Sequence, residues 1–184
     1  MTVTAGTFTA HTIESAPRAS APLLRRTAEH LGYLPGAMAL MAESPDLLKG
    51  FLTASGQFEQ TTLDPVAREV LVLTVAVRNG CHLCVAMHSA RLAELGAGAV
   101  LMAALRDGGV ALPEPGLEAL RRFVLAVLDT AGRVSETELA AFLAHGYTRQ
   151  NALEVTLGIG AYTMSTLANR LTGAPVDPQL AAFA

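Results

Sequence analysis

No stretch of this chain alternates polar and apolar residues as a half-buried strand does. Start and stop signals divide it into helices instead. The first predicted helix follows Ser20, carries Pro22 in its first turn, and runs from Ala21 to about Leu31, where Gly32 stops it. GYLPGAMALMAESP reads as a turn and then a short helix. Ser44 caps the next helix, with Pro45 at its first position, to about Glu59. Asp64-Pro65 repeats that signal and opens a helix to about Arg78, ended by Asn79-Gly80. Another begins near Cys81 and ends before Gly96. Short helical turns are expected to about Arg106, then a loop through DGGVALPEPG. A helix over Leu117 to Thr130 follows. Ser135-Glu-Thr-Glu138 is a capping box before one to about His145. The last starts at Thr148 and runs, nearly all apolar, to about Leu171.

Val70 to Val77 is the ambiguous stretch. Its valines suit a strand locally, but the Asp-Pro cap before it and its neighbours favour a buried helix. The prediction is all-α, with one helical domain over residues 20–172. Residues 1–19, small and polar without periodicity, read as an N-terminal arm ordered against a neighbouring subunit. Residues 173–184, with Pro175 and Pro178, read as a C-terminal tail.

Composition changes this picture in one respect. Apolar residues make up 51% of the 184 and charged residues only 16%, where about 25% charged is usual. The longest apolar run, Val70 to Val77 around one threonine, falls far short of the roughly 18 residues that span a bilayer. The excess therefore points to buried subunit interfaces in a homo-oligomer (dimer, trimer or hexamer), with an apolar ligand pocket as the alternative. The net charge is −3, the single lysine is Lys49, and no basic block exists, which argues against nucleic acid as a partner. The opening residues show no signal-peptide pattern, so a cytoplasmic location is expected, with no membrane partner.

The candidate chemistry lies in EVLVLTVAVRNGCHLCVAMH, Glu69 to His88. It holds the only two cysteines, Cys81 and Cys84, in a C-x-x-C, with His88 four residues after the second. On a helix, positions three and four apart share a face. A helix start at Gly80 lowers the pKa of Cys81, and His88 can do the same for Cys84 or act as its base. Glu69, on the preceding helix, can orient that histidine or relay its proton. Cys81, Cys84, His88 and Glu69 are also a conceivable zinc set. The redox reading is preferred because no second C-x-x-C or histidine pair accompanies them. His82 is an accessory candidate, read mainly as facing solvent or capping the turn. His11, His30 and His145 are read as ordinary. Tyr162 and Asn169, seven apart, either line a pocket or pack in the core, and core is preferred. Met38, Met41 and Met102 are read as core or interface fillers, and Arg68 as a surface or interface ion-pair former.

This segment resembles the AhpD-like alkylhydroperoxidase and carboxymuconolactone decarboxylase family, whose signature is Glu, eleven residues, C-x-x-C, three residues, His. Glu69, Cys81, Cys84 and His88 match it. LGYLPGAMALMAESPDLLKGF and HGYTRQNALEVTLGIGAYTMSTLANRLTGAPVD are similar to flanking segments of the family's peroxidase-related branch, so the likeness covers roughly residues 20–180. The resemblance implies an AhpD-like helical bundle, obligate homo-oligomers, and a thiol peroxidase without metal or other cofactor. By that implication Cys84 attacks an organic hydroperoxide, Cys81 resolves the sulfenic acid, and His88 and Glu69 form the proton relay. Electrons come from a lipoyl- or thioredoxin-type dithiol donor. Two departures stand out. The best-studied peroxidases carry histidine just before the second cysteine, where this chain has Leu83, with His82 one position earlier. The related branch often has histidine after the C-terminal asparagine, where Arg170 follows Asn169. The decarboxylase branch generally lacks the cysteine pair. The alternatives are a redox-sensing or metal-binding helical oligomer without turnover, and a decarboxylase-like enzyme moving protons on a ring acid.

Overall fold

The computed structural model describes residues 7–184, and every regular element among them is helical. In chain order these are α1 (Ala21–Leu31), α2 (Gly36–Met41), α3 (Pro45–Glu59), α4 (Pro65–Arg78), α5 (His82–Glu94), α6 (Ala99–Asp107), α7 (Pro115–Asp129), α8 (Glu136–Ala144) and α9 (Arg149–Thr172). A 3-10 segment, Pro178–Phe183, follows. No described helix is long and apolar enough to cross a membrane.

The caps that mark the sequence make the bonds expected of them. Ser44 Oγ accepts from the Leu47 amide at 3.3 Å, and Asp64 Oδ1 from the Val66 amide at 2.9 Å. Ser135 and Glu138 satisfy each other's backbone at the start of α8, and Thr148 and Asn151 do so for α9. Residues 99–107 form a full helix where only short turns were expected, because Leu101, Ala104 and Leu105 make one buried face.

α4 is the axis of the fold. It packs against α5, α6, α7 and α9, and Val70, Leu71, Leu73, Val75 and Ala76 are fully buried. A helix enclosed on all sides is apolar all round. That explains why VLVLTVAV lacks helical amphipathicity and could be mistaken locally for a strand. α9 approaches closely at Gly158, where a Cβ would sit 2.6 Å from Phe58 Cε2 and 2.9 Å from Leu71 Cδ2.

Of the arm expected at residues 1–19, residues 1–6 lie outside the described residues. The rest runs along its own chain. The amide of Thr9 donates to Glu43 Oε2, that of His11 to Ala39 O, and Ser20 Oγ to Ala42 O. The tail also folds back. Asp177 Oδ1 accepts from the Gly36 amide at 3.0 Å, Arg106 Nη1 donates to Phe183 O, and the 3-10 segment packs on α5.

Candidate active site

The site begins at the turn between α4 and α5. Gly80 takes φ +63°, a left-handed conformation that favours glycine. Its amide bonds Val77 O and the next amide, of Cys81, bonds Ala76 O, the paired closure that ends a helix on glycine. Cys81 thereby finishes α4 and, in extended conformation, caps α5. α9 braces the turn: Asn79 Nδ2 donates to Thr166 Oγ1 at 2.8 Å, and Arg170 Nη1 donates to Asn79 O.

Capping fixes where the sulfurs go. Both cysteines are buried and free, and their Sγ atoms stand 2.9 Å apart. The pair divides its proton unequally. Between the neutral thiols Cys81 Sγ is the donor. When Cys81 ionises the bond reverses, and the Cys84 thiol donating to the thiolate outweighs burial. With further donation from the Cys84 amide and Asn169, Cys81 is held well below the ordinary thiol range. The same bond, joined by burial, pushes Cys84 up. Asn169 Nδ2 lies 3.2 Å from Cys84 Sγ, and Ser165 Oγ 4.0 Å from it.

One turn along α5, His88 Nδ1 lies 2.7 Å from Glu69 Oε2, both side chains buried. Arg91 closes the carboxylate's other side, its Nε 3.7 Å from Glu69 Oε1, and also reaches Glu59 Oε2 at 3.5 Å. The Tyr162 ring meets the His88 ring edge-on, centroids 5.1 Å apart. Burial first, and the Glu69 charge second, push the Tyr162 phenol up. A cleft of about 690 Å³ opens over Cys84, His88, Tyr162, Ser165 and Asn169, while Cys81 lies outside its lining. Among the described residues, no three His, Cys, Asp or Glu side chains converge as a metal site would require.

Residues 43–129, which contain Glu69, Cys81, Cys84 and His88, match the model of the carboxymuconolactone decarboxylase family. Solved structures extend that likeness over nearly the whole chain. A peroxidase-related protein of Ralstonia eutropha JMP134 with an alkylhydroperoxidase AhpD core superposes with a TM-score of 0.85 at 18% identity, covering 97% of this chain and 95% of its own. The match over residues 43–129 supports assigning the chain to the carboxymuconolactone decarboxylase family, and the fold of the whole is AhpD-like.

Other structures with this fold include a peroxidase-related protein of Silicibacter sp. TM1040, with a TM-score of 0.79 at 17% identity over 97% of this chain and 96% of that one. The debrominase Bmp8, solved in complex with a tribromopyrrole, superposes with a TM-score of 0.77 at 15% identity over 96% and 95%. At these identities the likeness is one of fold. No curated protein matches the chain in sequence.

The structure places Cys84 and His88 at the cleft, with Glu69 bonded to His88 outside the lining and Cys81 behind Cys84. His82 is exposed at the first turn of α5 and does not line the cleft. Leu83, at the position where a histidine was looked for, is buried in the core. Arg170 bonds the turn backbone rather than a thiol. Arg68 is half-buried, donating to Leu63 O at 2.7 Å and lying 3.9 Å from Glu59. Tyr162 and Asn169 do both things the sequence allowed: they are buried, and they line the cleft. Ser165 and Arg91 were missed. Each had a signal in helical spacing, since Ser165 falls between Tyr162 and Asn169 on one face of α9, and Arg91 is three residues after His88. His30, read as ordinary, also lines the cleft.

Proposed function

We propose that the protein is a thiol oxidoreductase that reduces organic hydroperoxides through a Cys81–Cys84 dithiol/disulfide cycle. The observation that carries this reading is the pair itself: two free sulfurs 2.9 Å apart, one of which faces a cleft beside a buried His88–Glu69 pair.

The roles follow from the unequal environments. Cys84 has access to the cleft but a raised pKa, so it needs a base. His88, one turn on and held by Glu69, takes the Cys84 proton. The thiolate attacks the distal peroxide oxygen, the O–O bond breaks, and the alkoxide leaves with the proton from His88 as an alcohol. Cys84 is then a sulfenic acid. Cys81, already disposed to ionise, attacks the Cys84 sulfur. The S–S bond forms, the S–O bond breaks, and hydroxide leaves and takes a proton from solvent. A dithiol donor of lipoyl or thioredoxin type returns two electrons and two protons.

The shared fold of a debrominase makes the same dithiol a candidate reductant of carbon–halogen bonds, and the test includes it. Wild type and Cys84→Ser are assayed with cumene hydroperoxide, and separately with a bromopyrrole, each with a dithiol reductant. Peroxide-dependent oxidation of the dithiol, lost in Cys84→Ser, is expected. A disulfide that forms and reverses without any peroxide turnover would overturn the reading in favour of a redox sensor. Turnover of the bromopyrrole alone would transfer it to dehalogenation.

A further inference from the structure

The cleft over Cys84 has an uneven charge. Its walls are mainly apolar, with Leu23, Met38, Phe51, Leu52 and Met87 among them. Three basic side chains also line it: Arg26 and His30, one turn apart on α1, and Lys49 on α3. All three are exposed, and none forms an ion pair or hydrogen bond among the described residues. The chain carries a net charge of −3 and has only one lysine, and that lysine lines this cleft. Glu59, the acidic side chain in the lining, is already engaged by Arg91 at 3.5 Å and Arg68 at 3.9 Å. The uncompensated charge of the lining is therefore positive.

From this we propose that the cleft takes an anionic amphiphile, with a carboxylate held by Arg26, Lys49 and His30 and an aliphatic chain lying along the apolar walls towards Cys84. The inference rests on the thiol-peroxidase reading and narrows it to hydroperoxides that carry a carboxylate. A guanidinium matches a carboxylate with two parallel hydrogen bonds, and lysine adds a point charge. The aliphatic stems of both side chains extend the apolar wall to the mouth. A volume of about 690 Å³ lies within the range of small-molecule sites, roughly 300–1,000 Å³. A neutral alkyl hydroperoxide makes no use of three unpaired basic groups.

The test separates this site from the redox reading by measuring binding without turnover. Decanoate and decanol, equal in chain length, are titrated calorimetrically into the reduced full-length protein. Decanoate is expected to bind roughly tenfold more tightly, the effect of two partly exposed ion pairs. That advantage should fall as salt is raised. It should vanish in Arg26→Gln/Lys49→Gln and persist in Arg26→Lys/Lys49→Arg. Decanoate should also slow alkylation of Cys84, which places it in this cleft. Equal affinity for acid and alcohol, or an advantage that survives in the glutamine pair, would overturn the anion site even if peroxides are reduced. A decanoate preference without peroxide turnover would uphold the anion site and sink the peroxidase reading.

Discussion

His88 and Glu69 form a buried pair at 2.7 Å, the histidine on α5 and the carboxylate on the central helix α4. The carboxylate is shared, since Arg91 approaches its other oxygen at 3.7 Å. Such a pair sets the tautomer and orientation of an imidazole. Both partners are buried, so the helical content of each variant is checked by circular dichroism before its chemistry is read. Glu69→Gln keeps the shape and removes the charge. His88→Ala removes the base.

Each change is expected to slow peroxide reduction by roughly a hundred- to ten-thousand-fold, the usual range for acid–base groups. Pre-steady-state oxidation of Cys84, followed by mass spectrometry, is the direct readout. Wild-type rates in both variants would remove the relay from the reaction.

The cysteines make a prediction about pH. As a thiolate, Cys81 is stabilised first by its hydrogen bond with the Cys84 thiol, then by the Cys84 amide and Asn169. Removing a donor to a thiolate raises its pKa. In Cys84→Ala, Cys81 should therefore move up towards the ordinary value of about 8.5. In Cys84→Ser, where a hydroxyl still donates, the rise should be smaller. Ultraviolet thiolate absorbance against pH reads both. Equal titrations in the two variants would mean that the donor is irrelevant.

The same variants test the roles. Cys81→Ser should strand a sulfenic acid on Cys84, trapped by a dimedone-type reagent. A sulfenic acid found only on Cys81, in the Cys84→Ser protein, would reverse the assignment.

Much of this was legible before the fold was in hand. Ser44-Pro45, Asp64-Pro65 and the Ser135 capping box are local, so the sequence marks those helix starts directly. The Glu69 to His88 spacing likewise depends on two helices and one glycine turn. What could not be read was which groups distant in sequence meet: spacing marks a face of α9 with Tyr162, Ser165 and Asn169, but not what that face packs on. Ser165 and Asn169 reach Cys84 from α9 because of how that helix crosses α4, and Gly158 fixes the crossing. His30 joins the cleft only because the fold brings α1 and α3 to line the same space. Val70 to Val77 was ambiguous for a physical reason: burial of every residue from Val70 to Ala76 erases the period that distinguishes a helix from a strand.

The expected oligomer has a candidate surface. Leu167 and Leu171, one turn apart on α9, are each 56% exposed, although large apolar side chains on a helix ordinarily face the core. Sedimentation at micromolar concentration should give a multiple of 19.2 kDa. Leu167→Glu with Leu171→Glu should shift it towards the monomer. A wild-type protein sedimenting as a stable monomer would contradict the expectation.

Two glycines of α9, two residues apart, should respond to alanine with opposite signs. In a helix interior, alanine is favoured over glycine by about 1 kcal/mol when space permits. At Gly160, exposed and with nothing within 4 Å of a new Cβ, that gain should appear in full. At Gly158 the Cβ would sit 2.6 Å from the ring of Phe58, which is fully buried, and 2.9 Å from Leu71. An aromatic ring packed on all sides does not yield, so α9 must shift, and overpacking of that kind costs about 1–3 kcal/mol. The loss outweighs the propensity gain or at best cancels it. Urea unfolding should therefore move to a higher midpoint in Gly160→Ala and a lower one in Gly158→Ala. The shift at Gly158 also moves Ser165 and Asn169 relative to Cys84, so thiol titration should change in that variant and not in Gly160→Ala. A Gly158→Ala protein as stable as Gly160→Ala would show that α9 does not approach Phe58 this closely.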